Sequence, residues 1–93
     1  MKPKLGSEVY VIWDGCQIYL EGVGYIGEDS FIVNGYEYKT DAEYYYDDYN
    51  ITWFKSFEKA KKVLFKELKR KYPNTKFHLE QDGDDVWEAI EDE

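Results

Sequence analysis

Two dipeptides, Asp14-Gly15 and Asn34-Gly35, constrain this chain more than any other feature. The first stands between residues 8–13 (EVYVIW) and 16–21 (CQIYLE), the second between 31–33 (FIV) and 36–39 (YEYK), all rich in β-branched and aromatic residues. A tight type I′ hairpin needs positive φ at both central residues, which Asp-Gly and Asn-Gly tolerate, so the pattern predicts two hairpins within forty residues. Residues 23–26 continue or restart the second strand, with Gly22 and Gly24 marking a bulge or sharp bend. Asp29 and Ser30 then turn into the third strand. A β-meander is the expected core of the fold.

The meander runs into an unusual stretch, residues 40–50 (TDAEYYYDDYN), which holds four acids and four tyrosines. It reads as a loop or an irregular edge strand, because acids are poor strand formers and tyrosine is a good one. Residues 51–54 (ITWF) read as a further short strand. Ser56 is a plausible N-cap with Glu58 in the first turn, and from Phe57 apolar residues recur at Ala60, Val63, Leu64, Leu68 and Tyr72. That spacing predicts a helix over 57–72, stopped by Pro73-Asn74. Lys59, Lys61, Lys62, Lys66, Lys69 and Arg70 take most of its other positions. Residues 75–81 form a last strand with Phe77 and Leu79 on one face and His78 and Glu80 on the other. Residues 82–85 turn, and 86–90 make one helical turn before an acidic end.

Ninety-three residues set the scale: one domain over 1–93, with the meander at about 5–54, the helix at about 57–72 and the C-terminal strand and acidic tail at about 75–93. The expected class is α+β: a small bent antiparallel meander curled into an SH3-like barrel, with one long helix near the C-terminus plugging an opening. No apolar run approaches the ~20 residues that cross a bilayer, and no signal-type stretch follows the first residues, so a cytoplasmic protein is expected.

Charge and chemistry narrow the function. Net charge is −8, but it is segregated: residues 1–54 carry −7, residues 55–72 carry +6 and residues 73–93 carry −7. An acidic body is repelled by nucleic acid and is steered toward a basic protein surface. One cysteine, Cys16, excludes a disulfide framework, and one histidine, His78, leaves little room for histidine-centred catalysis. No glycine loop cradles phosphate, because no helix opens after Gly22, Gly24 and Gly27. Residues 82–85 with Glu88 lack the alternating ladder of a calcium loop. No catalytic residue, no metal ligand and no cofactor is expected.

The segments LGSEVYV (5–11), SFIV (30–33) and TWFKSFEKAKKVL (52–64) together resemble small uncharacterised proteins carried by phages and mobile elements of Gram-positive bacteria. The resemblance spans roughly residues 5–70 and rests on packing and capping positions, so it carries over no catalytic residue. It implies an inhibitor of host defence, anti-CRISPR proteins that imitate the charge of DNA being among such proteins.

Two acidic segments are the candidate partner-binding surface. The first is Asp41, Glu43, Asp47 and Asp48 around Tyr44, Tyr45 and Tyr46; its carboxylates can stand where phosphates sit in a basic groove, or it is a solvated loop whose tyrosines cover the core. The second is Asp82, Asp84 and Asp85 with Trp87; it is a disordered acidic tail, or Trp87 anchors a partner or docks on the sheet. The expected function is non-enzymatic: blocking a basic, nucleic-acid-processing host protein such as a CRISPR effector by DNA mimicry. The alternatives are nucleic-acid binding through Lys62, Lys66 and Lys69 of the helix, or self-association as an assembly protein of a mobile element.

Overall fold

Asp14 and Gly15 both take positive φ, 55° and 71°, and the Cys16 N–H donates to the Trp13 carbonyl at 3.2 Å. A turn therefore closes at the dipeptide, but with Cys16 as a third loop residue, so that β1 (Glu8–Trp13) joins β2 (Gln17–Ile26) one residue later than expected, in an antiparallel register that sets Trp13 against Gln17. The computed structural model describes residues 1–34 and 42–92. The Asn34-Gly35 turn and the expected return strand at 36–39 fall mostly outside that range, as does Asp41. The strand that pairs with β3 (Ser30–Val33) is β4 (Ala42–Tyr45), so the edge-strand reading of the tyrosine stretch holds for its first half. Its second half is a 3-10 turn, Tyr46–Asp48, leading to the short β5 (Trp53–Phe54).

β2 is the organising strand. It pairs with β1 along one edge; along the other it pairs first with a C-terminal strand and then with β3, whose pairing contains a register shift between Val23 and Tyr25. Gly24 sits at that shift, and the Asn34 side chain occupies the space a Cβ would need, so only glycine fits without displacing it. The resulting antiparallel order, β4-β3-β2-β1-β5, curls into a half-barrel. Its concave face is filled by Val9, Val11, Tyr19, Val23, Phe31, Val33, Tyr46 and Trp53. Trp53 is completely buried, with its ring 4.9 Å from Phe31 and its indole N–H donating to the Tyr45 carbonyl at 2.8 Å. Burying one such ring contributes up to about 5 kcal/mol before entropy is subtracted.

The opposite face is also covered, because strand alternation in β1 and β5 sends Tyr10, Ile12 and Phe54 the other way. Against them lies α1 (Phe57–Lys71), through Ala60, Leu64 and Leu68. Ser56 caps it as expected, its Oγ accepting from the Lys59 N–H at 3.4 Å. The helix ends one residue before the predicted boundary, ahead of Pro73. It does not plug a barrel opening: its apolar stripe packs on the outer face of β1, β2 and β5.

Nor does the helix close the chain. It lies mid-sequence, followed by the hairpin β6 (Phe77–Gln81) and β7 (Val86–Glu91). The expected helical turn at 86–90 and the disordered acidic tail are thus corrected to a strand, β7, which hydrogen-bonds to both β6 and β2. The reason is period: Trp87 and Ala89 alternate with Glu88 and Ile90, and the alternation lays Trp87 and Ala89 on the helix-facing core. Among the described residues no helix is long and apolar enough to cross a membrane.

Candidate functional site

Three consecutive tyrosines take different environments because β4 alternates and then turns. Tyr44 faces inward, stacked 6.0 Å from Phe31, and burial followed by the charge of Glu21 pushes its hydroxyl up to about 12. Tyr46 is 8% exposed; its hydroxyl donates to the Gly27 carbonyl at 2.7 Å and its ring stacks on the other side of the same cluster, 6.0 Å from Phe31. Lys2 places its Nζ 5.1 Å from the Tyr46 ring. Tyr45 points outward and is 51% exposed. Of the tyrosine triplet, Tyr44 and Tyr46 thus build the half-barrel, and Tyr45 is left for solvent or a partner.

The carboxylates of the first segment divide similarly. Glu43 is exposed on the outward face of β4, where its two oxygens accept from Ser30 Oγ at 2.6 Å and from the Tyr45 hydroxyl at 3.5 Å. Asp47 is exposed in the 3-10 turn, while Asp48 is half-buried and its carbonyl accepts from the Ile51 and Thr52 amides. In the second segment Asp82 and Asp84 are exposed in the β6–β7 turn, and Asp85 is half-buried with its carbonyl bonded to the Leu20 amide at 2.9 Å. Trp87 is half-buried and packs on Tyr10 at 6.0 Å and Phe57 at 4.8 Å.

The fold brings the two segments to one side of the molecule, both on the β2 edge opposite β1. Asp85 bonds at Leu20, Asn34 bonds at Gly22, and β3 and β4 continue from there. Glu28 and Asp29, which sequence reading passed over, join them at the far end, where the Asp29 carbonyl accepts from the Tyr46 amide at 3.1 Å. Their signal was present in the sequence: two acids in a predicted turn beside a tyrosine strand. The basic block lies elsewhere, on α1, which packs over β1, β2 and β5.

Outside this side, the exposed Glu67–Arg70 pair on α1 lowers the Glu67 carboxyl and raises the Arg70 guanidinium, and His78 and Cys16 are shifted too. His78, exposed on β6, has its Nε2 2.7 Å from Glu80 and its Nδ1 bonded to Asp92; Glu80 first and then Asp92 hold the imidazolium above its ordinary value. Cys16 is pushed up by burial and by Asp14 and Glu88, which keeps it a thiol rather than a nucleophile. It lines an open groove of about 430 Å³ with Asp14, Leu68, Lys71, Tyr72, Phe77 and Glu91. Glu21, on the inward face of β2 between Tyr19 and Val23, is 5% exposed and is the buried carboxylate that acts on Tyr44. Among the described residues no group of three or more His, Cys, Asp or Glu is disposed to hold a metal ion.

Fold and surface define a small α+β protein with acidic segments on the β3–β4 region and the β6–β7 turn and a basic helix packed over β1, β2 and β5 of one curled sheet. Compared with protein-family models, curated proteins and solved structures, the chain gives no match in any of the three.

Proposed function

We propose that this protein acts by binding rather than catalysis, laying its acidic side into the basic groove of a nucleic-acid-processing protein and excluding the nucleic acid. The observation that carries the reading is the run of carboxylates along the β3–β4 side: Asp84 and Asp85, then Glu43, then Asp47, Asp29 and Glu28. From Leu20 to Ile26, β2 spans about 20 Å at roughly 3.3 Å per residue. Over that length and its flanking turns the side gathers six carboxylates, a concentrated negative field of the sign that a basic groove attracts. The carboxylate nearest the middle, Glu43, is held by two hydrogen bonds and costs little further entropy to present.

The architecture suits the role. The strand order β4-β3-β2-β1-β5, with a 3-10 turn between β4 and β5, supports reading the sheet as an SH3-like barrel. Packing α1 over β1, β2 and β5 sets its lysines on other strands than the β3–β4 carboxylates. The resemblance to proteins of phages and mobile elements points to the bacterial cytoplasm as the place of action and to a defence nuclease, such as a CRISPR effector, as the target.

The test is capture from a Gram-positive bacterial extract, with the retained protein challenged by duplex DNA and by a Glu43→Lys/Asp47→Lys variant. A nucleic-acid-handling protein that is released by DNA and not retained by the variant is the expected result. Retention of the same protein by the variant, or recovery only of nucleic acid or of the protein's own copies, overturns the proposal. Recovery of nucleic acid lost on Lys62→Glu/Lys66→Glu/Lys69→Glu would instead establish the basic helix as the binding surface.

A further inference from the structure

We infer that the outward face of β2, β3 and β4 is a docking platform for an arginine side chain of the partner, built by Tyr25, Ser30, Ile32, Glu43 and Tyr45. The inference deepens the proposed function, on which it rests for the basic character of the partner.

Register assembles the platform. Tyr25 pairs with Ile32, Ile32 pairs with Glu43, and Ser30 pairs with Tyr45, so alternate side chains of three strands share one face. The opposite face of these strands points into the half-barrel through Ile26, Phe31, Val33 and Tyr44, which fixes this one outward. Tyr25 and Tyr45 are 59% and 51% exposed, two large rings left on the surface while Tyr44 and Tyr49 are half-buried and Tyr46 is buried. Gly27 leaves room beside the Tyr25 ring: a Cβ there would lie 3.4 Å from Tyr25 Cε1 and 3.0 Å from the Ser30 carbonyl. Tyr25 and Ser30 thus both border Gly27, and the Ser30 hydroxyl orients Glu43.

Charge and shape then select the occupant. Two rungs of sheet separate Tyr25 from Tyr45, about 10 Å between strand axes, with half-buried Ile32 as the floor between Tyr25 and Glu43. A guanidinium stacks on aromatic faces and takes a carboxylate through paired N–H groups, while its methylene stem lies along an apolar floor. A compact ammonium meets the carboxylate but does not stack as a plane. Phosphate is repelled by Glu43 and by the neighbouring Glu28, Asp29 and Asp47. An aliphatic partner would leave the Glu43 charge desolvated without a counter-charge.

The experiment uses the whole protein and two synthetic peptides of equal length and charge, one bearing three arginines and one three lysines on a Gly-Ser backbone. Binding is followed by amide and tyrosine-ring NMR signals. The arginine peptide is expected to shift Tyr25, Ser30, Glu43 and Tyr45 and to bind more tightly than the lysine peptide. Tyr25→Ala, Tyr45→Ala and Glu43→Gln should each weaken it by about three- to tenfold, as loss of a stacked or ionic contact does. Equal binding of the two peptides, or shifts confined to the β6–β7 turn, overturns the platform as mere charge attraction. The two readings fail separately. If the arginine peptide docks here but no captured protein is displaced by DNA, mimicry falls and the platform stands. If a DNA-displaced partner is retained equally by Tyr25→Ala and Tyr45→Ala, the platform falls and mimicry stands.

Discussion

Alanine substitution at each of Tyr44, Tyr45 and Tyr46 tests the register on which both proposals depend. Tyr46 is 8% exposed, stacked near Phe31 and hydrogen-bonded to the Gly27 carbonyl, so Tyr46→Ala removes a buried ring and strands a carbonyl. Ring deletions of this kind cost about 3–5 kcal/mol, a large part of the roughly 5–14 kcal/mol that a chain this size possesses. Tyr46→Phe keeps the ring and loses only the hydrogen bond, for about 1–3 kcal/mol. Tyr44→Ala leaves Phe31 with one stacked neighbour fewer and should cost about 2–4 kcal/mol. Tyr45→Ala gives up an exposed ring whose hydroxyl bond to Glu43 is 3.5 Å long, and should cost less than about 1 kcal/mol. Equilibrium urea unfolding followed by the fluorescence of buried Trp53 reads all four. With a slope of about 1–2 kcal/mol per molar, Tyr46→Ala should lower the midpoint by about 2–3 M and Tyr45→Ala by well under 1 M. A reversed order, with Tyr45 costly and Tyr44 and Tyr46 tolerant, would mean that β4 pairs one residue out of register. Glu43 and Tyr45, the residues that β4 gives the docking platform, would then face the core, and the reasoning would fail.

Other predictions follow from single contacts. His78 is held protonated by Glu80 and Asp92, so its folded-state pKa lies above its unfolded value. The stabilisation is complete below the ordinary histidine pKa of about 6.5 and is lost as pH rises through the higher native value. NMR titration should place the His78 midpoint above 6.5, and His78→Asn should erase the fall in urea midpoint between pH 6 and 9. Gly24→Ala should destabilise by about 1–3 kcal/mol because Asn34 blocks the new methyl, and Asn34→Ala should recover most of that loss in the double variant. Cys16, raised by burial and by Asp14 and Glu88, should alkylate with iodoacetamide at pH 7.5 more slowly than a free cysteine. Faster alkylation would show that the sulfur lies in a thiolate-stabilising environment.

How much of the fold the chain announces depends on whether the deciding information is local. The Asp14-Gly15 turn, the Ser56 cap and the Ala60, Leu64, Leu68 stripe are local, and each forms where its residues predict. The errors lie where a partner strand decides. Residues 86–91 carry an acid-rich sequence that reads as a tail, yet pairing with β6 and β2 supplies the backbone bonds and the helix-facing core accepts Trp87. The position of α1 failed for the same reason: a helix stripe says which face is buried but not against which side of a sheet. Tyr10 and Ile12, alternating with Val9 and Val11, did carry that information, because a strand apolar on both faces needs a covering layer on each.

The candidate surface was legible as composition and illegible as direction. Eleven residues were named from their types, and alternation sorts those described: Glu43, Tyr45, Asp47, Asp82 and Asp84 face solvent, whereas Tyr44 and Tyr46 belong to the core. What composition could not reveal is that β2 carries both acidic segments on one edge, since that depends on β7 and β3 sharing a strand that bends at Gly24. The bend has a functional consequence. Without the shift at Val23 and Tyr25, period two would continue unbroken from Tyr19, Glu21 and Val23, all inward, and Tyr25 would point into the half-barrel with them. The one-residue irregularity turns Tyr25 outward beside Ile32 and returns Ile26 to the core opposite Phe31. A single glycine, placed where Asn34 leaves no room for a Cβ, thus sets both the curl that closes the half-barrel and the ring that the acidic side presents.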